Sequence, residues 1–144
     1  MSLHAIAYAS EARADLRTTD LDRLLADATA FNRVAGVTGV LMFDGTRFLQ
    51  YLEGPEDGIA SVFPRIANAR SHLQLEVLCR GPVAQRVFPR WSMGTRRIEA
   101  ELLAQIVDAA WPGFLLGSGG FERLLQAWTG ADGELEPAAV ALGS

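Results

Sequence analysis

Residues 37–55 read V-T-G-V-L-M-F-D-G-T-R-F-L-Q-Y-L-E-G-P, and the predicted fold is built around this segment. Two mostly apolar runs flank Asp44-Gly45, a dipeptide typical of a tight β-hairpin turn. The first run, residues 37–43, is apolar at nearly every position, which indicates a strand that is covered on both faces. The second run, residues 48–53, is predicted to pair back antiparallel. We expect it to end at Gly54, with Pro55 in the first turn of the next helix.

Gln50 is the unusual residue of the second run. Read at period two, it shares an otherwise apolar face with Phe48, whereas the opposite face begins and ends in charge. An amide on an apolar face needs partners, because an unpaired buried polar group costs about 1–3 kcal/mol. Asn32, on the apolar stripe of the preceding helix, and Tyr8, on an N-terminal strand, add two more neutral hydrogen-bonding groups. Together they predict a buried polar ligand.

The other elements follow from apolar periodicity and from breaker residues. They come in this order: strand 3–9, a polar connection 10–17, helix 18–34, the hairpin strands 37–43 and 48–53, a helix around residues 59–66, and strands 75–80 and 91–95. This β-α-β-β-α-β-β order is the ferredoxin-like split βαβ arrangement with one extra strand. The predicted class is therefore α+β, with two helices on one face of the sheet.

Particular residues define the ends of the two helices. Thr18, Thr19 and Asp20 offer N-caps to the first helix, and Gly36 is expected to end it in the left-handed conformation. Pro64 lies inside the second helix, where it removes one backbone hydrogen bond and is expected to kink or shorten it.

The C-terminal part is predicted to be helical at residues 98–111 and 121–128, with a break at Pro112-Gly113. These helices are expected to cover the sheet face that the first two leave open. We divide the chain into residues 1–96, a helical extension 97–129 in the same compact unit, and a flexible tail 130–144. Apolar residues of the extension are candidates for dimer or partner contacts, with packing on the sheet as the alternative: Trp111, Phe114, Leu115 and Trp128.

Composition narrows the function classes. With 144 residues and 49% hydrophobic residues, the chain is typical of one soluble globular domain. A net charge of −4 argues against a nucleic-acid or acidic-membrane surface. One cysteine and two histidines are too few for a disulfide framework or a transition-metal cluster, and they fit a reducing cytoplasm. The N-terminus lacks the pattern of a signal peptide, and no apolar stretch reaches membrane-spanning length.

Five blocks occur in a specific order within residues 1–96: Y-A-S at 8–10, F-N-R-V-A-G-V-T-G-V-L-M-F-D-G at 31–45, F-L-Q-Y-L-E-G-P at 48–55, G-P at 81–82 and F-P-R-W-S-M at 88–93. This combination resembles the BLUF family, blue-light sensors that use FAD. The resemblance implies an FAD-binding photoreceptor that is not an enzyme and that forms a homodimer or higher homo-oligomer. A separate downstream partner is expected, because residues 97–144 are too few for an output enzyme.

The resemblance also implies roles for individual residues, with the flavin ring between the two core helices. Tyr8 would donate an electron and a proton to the light-excited flavin. Gln50 would bridge Tyr8 and the flavin, and would change orientation or tautomer after light. Trp91 and Met93 lie on the strand that would carry the signal outward.

Further positions match the flavin-binding residues of the family. Asn32 would bind the carbonyl edge of the ring, and Arg65 and His72 would contact the ring and the ribityl side. Apolar side chains are expected to complete the site: Leu24, Phe48 and Ile66. FMN remains an alternative to FAD, because a site for the ring does not report the distal nucleotide.

The chain departs from the family where a D-x-R-H pattern is usual. The stretch here is N-A-R-S-H at residues 68–72, so Ala69 replaces the acid and Ser71 precedes His72. These two residues motivate a second hypothesis, a flavin-free ferredoxin-like interaction module. A third hypothesis is a small enzyme that acts on acyl phosphates. It requires a basic anion-binding loop, and residues 8–18 contain no convincing one.

Overall fold

The computed structural model describes residues 2–12, 17–67, 72–90, 93–114 and 119–130. Within these residues the elements are β1 Leu3–Ala12, α1 Thr18–Ala35, β2 Thr38–Phe43, β3 Arg47–Pro55, α2 Glu56–Ala67, β4 His72–Val83, β5 Gly94–Arg97, α3 Ala100–Asp108 and α4 Gly119–Gly130. The sheet order is β4-β1-β3-β2-β5, in which only the β2–β5 pair is parallel. This architecture confirms the α+β, ferredoxin-like prediction.

The strands β1 and β4 are longer than predicted. Residues 10–12 continue β1 rather than forming a connection, because Ser10 pairs with Phe48 on β3 and Ala12 pairs with His72 on β4. At its other end, β4 extends to Val83, which pairs with Leu3. Partners that are distant along the chain set these ends, and a local pattern does not identify them.

The β3 strand ends at Pro55, which pairs with Leu3, and α2 begins only at Glu56. The prediction that Pro55 belongs to the first turn of the helix was wrong. The extended N-cap of α1 is Arg17, not one of the threonines, and the Asp20 carboxylate accepts a hydrogen bond of 3.1 Å from the Arg17 N–H. Gly36 ends α1 with φ of 74°, as expected for a left-handed cap.

The C-terminal half differs from the prediction mainly at element ends. The β5 strand begins at Gly94, so Met93 lies just before it, and Trp91 lies outside the described residues. The α3 helix starts at Ala100 rather than at residue 98, because the Ile98 N–H donates to the Phe43 carbonyl oxygen and stays extended. The α4 helix, at residues 119–130, is longer than predicted. The predicted tail began at residue 130, but Gly130 ends α4, and residues 131–144 lie outside the described part of the chain.

The two faces of the sheet are covered by different pairs of helices. We call the face under α1 and α2 the cleft face; its buried residues include Tyr8, Leu41, Phe48 and Leu52. We call the face under α3 and α4 the packed face; its core consists of Ala5, Ala7, Val40, Met42, Leu49, Tyr51, Phe88, Ile98, Leu103, Ile106, Phe121, Leu124, Ala127 and Trp128. The prediction that the C-terminal helices cover the second face is therefore confirmed.

The packed face contacts most of the apolar candidates of the extension. Trp128 is buried, and Trp111 and Phe114 are partly buried against the same core. Leu115 lies outside the described residues. Phe114 packs against Tyr51, and Trp128 packs against Phe88, which agrees with the packing alternative for these side chains.

Candidate functional site

A cleft lies between α1, α2 and the cleft face of the sheet, around a cavity of about 150 Å³. Four elements contribute to its walls, α1, α2, β2 and β3, and Met93 before β5 completes the lining. The lining residues are Leu24, Leu25, Asp27, Ala28, Phe31, Asn32, Leu41, Gln50, Val62, Arg65 and Met93. The α1 members recur at the spacing of one helical face, so the amphipathic stripe of that helix forms the wall.

Two neutral amides lie in this mostly apolar wall. Asn32 is 2% exposed and Gln50 is 3% exposed. Each amide has a donor end and an acceptor end, and neither brings a charge into the core. The pair therefore suits an uncharged flat ligand whose edge alternates carbonyl and N–H groups.

Gln50 contacts the segment that leads into β5. Its side-chain Nε2 donates to the Met93 Sδ at 3.2 Å, and both side chains are buried. Sulfur of a thioether is an acceptor only, so the amide nitrogen must face Met93 for this bond to form. The contact therefore depends on which way the amide points.

Tyr8 lies on β1 directly opposite Gln50 in the antiparallel register with β3. Its ring packs edge-to-face on Phe63, with the ring centroids 6.1 Å apart. Complete burial raises the pKa of Tyr8 well above its ordinary value of 10.0. The phenol therefore keeps its proton at neutral pH, since ionising it would place a charge in an apolar core.

Arg65 and Phe31 stand together at the cleft. The guanidinium carbon of Arg65 is 3.9 Å from the centroid of the Phe31 ring, in a cation–π arrangement. Arg65 is exposed and Phe31 is half-buried, so the pair borders the cleft on its solvent side.

The structure brings five of the predicted site residues into the lining of the cleft: Leu24, Asn32, Gln50, Arg65 and Met93. Tyr8 and Phe48 are not in that lining. Both belong to the buried core of the cleft face, where Phe48 stacks on Phe43 at 4.8 Å. Ile66 lies in α2 and His72 begins β4, but their side chains are outside the described part of the structure, as is all of Trp91.

Other lining residues were not predicted as site residues. Leu25, Ala28 and Phe31 belong to the apolar stripe of α1, and its spacing with Asn32 was a usable signal. Leu41 and Val62 read as ordinary core residues, and only the folded chain brings them to the cleft. A larger cavity of about 740 Å³ adjoins the cleft along α1 and shares Leu25, Leu41 and Met93 with it.

In the described part of the chain, every helix is too short or too polar to span a lipid bilayer.

Comparison with known sequences gives a consistent result. The BLUF family, described as sensors of blue-light using FAD, matches residues 3–94. The photoactivated adenylate cyclase subunit beta of Euglena gracilis is 29% identical over 93 residues, which are 64% of this chain and 11% of that protein. The blue light- and temperature-regulated antirepressor BluF of Escherichia coli is 32% identical over 85 residues, which are 58% of this chain and 21% of the relative. The chain thus spans only a small part of these relatives.

Comparison with solved structures agrees with the sequence comparison. The dark-state structure of BlrB, a BLUF protein, superposes with a TM-score of 0.63 and 27% identity, over 73% of this chain and 78% of that chain. The BlrP1 BLUF structure superposes with a TM-score of 0.61 and 28% identity, over 93% of this chain and 94% of that chain.

Proposed function

This chain belongs to the BLUF family of flavin-binding blue-light sensors, and we therefore propose that FAD binds in the cleft, with Tyr8 and Gln50 as its switch. The observation that carries the proposal is the placement of Gln50. It is a buried amide in the cleft wall, opposite Tyr8 on the neighbouring strand, and it contacts Met93. The family description favours FAD over FMN.

The residues of the cleft fit a flavin ring by their chemistry. Asn32 and Gln50 can bind the carbonyl and N–H groups of the pyrimidine edge, while Leu24, Ala28 and Val62 offer apolar walls to the ring faces. The cavity of about 150 Å³ is smaller than the roughly 300–1,000 Å³ of typical ligand sites. We therefore expect Arg65, which is exposed, to leave its place over the Phe31 ring on binding and to contact the ligand from the solvent side.

FAD, when bound, supplies a ring that absorbs blue light and accepts an electron from a nearby donor. Tyr8 suits the donor role, because its phenol is oxidisable and burial keeps its proton in place until that moment. Tyr8 loses an electron and a proton together more readily than an electron alone, since a cation in this apolar core is costly.

A change in the orientation of the Gln50 amide alters its hydrogen bond to Met93. If the amide turns over, the side-chain carbonyl oxygen faces the Met93 Sδ, so an acceptor replaces the present donor. Two acceptors do not bond, so Met93 loses its contact with β3. No charge enters the core, and the dark state can return by the reverse change.

The proposed output is conformational and not chemical. Met93 immediately precedes β5, and α3 follows β5 within a few residues, so a change at Met93 reaches the packed face. We propose that residues 1–96 are the sensor unit, with residues 97–129 packed on it, and that a homodimer or higher homo-oligomer signals to a separate partner protein. The chain itself is proposed to catalyse no reaction, although relatives include adenylate cyclase subunits.

The first test is the visible absorption spectrum of the purified protein, before and after blue light. We expect a flavin spectrum that shifts slightly to longer wavelength and recovers in the dark. A flavin spectrum without a reversible shift would contradict the Tyr8–Gln50 switch. A colourless protein that takes up no added FAD would contradict the proposal and favour the flavin-free interaction module.

Two substitutions test the switch itself. Gln50→Leu should abolish the red shift while flavin stays bound, and Tyr8→Phe should leave a yellow protein without the normal photocycle. Gln105→Leu is the matched control, because Gln105 is an exposed amide on α3. A normal photocycle in Gln50→Leu would contradict the role of that amide.

A further inference from the structure

The loop at residues 84–90 is joined to the packed face by a buried carboxylate, Glu53. This side chain is fully buried at the end of β3, although the alternation of the strand places it on a face predicted to begin and end in charge. Its Oε1 accepts hydrogen bonds from the Tyr51 hydroxyl at 2.8 Å and from the Val87 N–H at 2.9 Å. Its Oε2 accepts one from the Phe88 N–H at 2.5 Å.

Arg86 makes a second attachment for the same loop. Its Nη2 donates to the Gly36 carbonyl oxygen at 2.7 Å, which fixes the loop to the end of α1. Its Nη1 donates to the Thr38 hydroxyl at 2.8 Å and to the Glu53 carbonyl oxygen at 3.3 Å. Residues 86–88 are therefore held to three elements at once by charge-assisted bonds, which are about twice as strong as neutral ones.

These attachments lie close to the Gln50–Met93 contact along the chain. Four residues separate Phe88 from Met93, and Glu53 follows Gln50 by three positions on β3. After Met93, β5 is held to β2, with Gly94 opposite Val40. The chain around Met93 is thus held at Phe88 on one side and at β5 on the other. The hydrogen bond from Gln50 to Met93 is a third attachment between these two.

We propose that Glu53 and Arg86 are positioning residues, whose joint tether of residues 86–88 keeps Met93 within reach of Gln50, so that the lit state returns quickly to the dark state. This inference rests on the proposed function. When Gln50 turns over, Met93 is released but its chain remains tethered at Phe88. A tether limits the conformations that the released segment can explore, and this lowers the entropy cost of restoring the contact. Loosening the tether therefore slows dark recovery.

The loop also connects the tether to α4. The Phe88 ring packs edge-to-face against Trp128, with the centroids 6.0 Å apart, and against Tyr51 at 5.8 Å. Phe88 thus contributes its backbone N–H to Glu53 and its ring to the packed face. A shift of the loop would therefore alter the packing of α4 through this aromatic contact.

Glu53→Gln is the sharpest test, because it preserves the size of the side chain. A glutamine has one acceptor oxygen, so its NH2 group must face at least one of the donors that now bond the carboxylate. We expect dark recovery to slow at least threefold and the Val87 and Phe88 amides to exchange hydrogen at least tenfold faster. The red shift itself should be unchanged, because Tyr8 and Gln50 are not altered.

Tyr51→Phe is the matched control, since it removes one donor to the same carboxylate and leaves both loop bonds. It should recover at the wild-type rate. The proposal is overturned if Glu53→Gln recovers like the wild type, or if Tyr51→Phe slows recovery as much. A wild-type protein without any red shift would instead contradict the proposed function, which the same measurement reveals.

Arg86→Met keeps the proposal testable if Glu53→Gln does not fold. It releases the same loop from α1 and β2 without changing the buried carboxylate. Its recovery should also slow at least threefold, and a wild-type rate would overturn the proposal. Arg90→Ala, at an exposed arginine of the same loop, controls for the loss of charge.

Discussion

Gln50 and Tyr51 are neighbours on β3, yet their side chains enter two different interiors. Tyr51 joins a close aromatic cluster on the packed face, with ring centroids 5.2 Å from Phe121 and 5.5 Å from Phe114. Gln50 lies on the cleft face beside a cavity of about 150 Å³. One strand therefore supplies both a tightly packed core and the wall of a ligand site.

This contrast explains how a small sensor can be both stable and responsive. The helices of the packed face contribute fully buried residues, Leu103, Ile106 and Phe121. The cleft face keeps half-buried side chains on α1, such as Leu24 and Phe31, together with the buried amides of Asn32 and Gln50. A ligand that fills the adjoining cavity of about 150 Å³ would therefore add contacts to this face.

The strongest effect we expect is a difference in stability between the two faces. Phe121→Ala on the packed face should lower the free energy of unfolding by about 3–5 kcal/mol, because it leaves a cavity in a filled core. Phe31→Ala should cost about 1 kcal/mol without flavin, since the ring is half-buried and borders space that already exists. Urea denaturation of the flavin-free proteins measures both, and equal losses would contradict the contrast.

The next effect is the stabilisation that FAD provides through the cleft face. At a free FAD concentration of 100 times Kd, the free energy of unfolding should rise by about 2.7 kcal/mol. Asn32→Leu should weaken binding about tenfold and reduce this gain by about 1.4 kcal/mol at the same FAD concentration.

Gln126→Leu, on the exposed side of α4, is the control for the loss of an amide, and it should keep the full gain. Thermal or urea unfolding with and without FAD measures the gain. An unchanged gain in Asn32→Leu would show that the ligand does not use the amide of α1.

The weakest effect concerns two buried tyrosines, one on each face. Burial raises the pKa of Tyr8, and burial raises the pKa of Tyr51, helped by the negative charge of Glu53 and by the hydrogen bond to it. A raised pKa means that the folded state holds the proton more tightly. The stability from each group is therefore complete below the ordinary pKa of 10.0 and is lost as the pH rises above it.

At pH 11 we expect a loss of about 1.4 kcal/mol for each tyrosine, measured as the change in the free energy of unfolding between about pH 9 and pH 11. Tyr8→Phe and Tyr51→Phe should each make this pH-dependent loss about 1.4 kcal/mol smaller. If the two tyrosines cause similar losses of unfolding free energy, the two faces differ in packing and not in the effect of tyrosine ionisation. If either variant still loses as much unfolding free energy as the wild type between about pH 9 and pH 11, the burial of that hydroxyl is contradicted.

Much of the cleft face could be read from the residues. Asp44-Gly45 indicated the hairpin, and the apolar neighbours of Gln50 indicated that its amide points into the core. Asn32 shares the apolar stripe of α1, so both amides were expected in one interior. These inferences succeeded because side-chain direction in a strand or a helix repeats over a few residues.

The tether of the loop could not be read in the same way. Glu53 looks like a charge at the end of a strand, and its burial depends on Val87 and Phe88, which are 34 and 35 residues away. Arg86 reaches Gly36 across 50 residues. Neither contact has a local pattern, because each depends on which segments the sheet brings together.

Patterns in the amino-acid sequence were sufficient for the order of the elements, the facing of Gln50 and Asn32, and the membership of the family. The folded chain was needed to show where β1 and β4 end, that Glu53 is buried, and that Met93 bonds Gln50. The physical reason is the range of the forces involved. Periodicity and turn preference act between near neighbours, whereas strand ends and buried hydrogen bonds are satisfied by partners that meet only after the chain has folded.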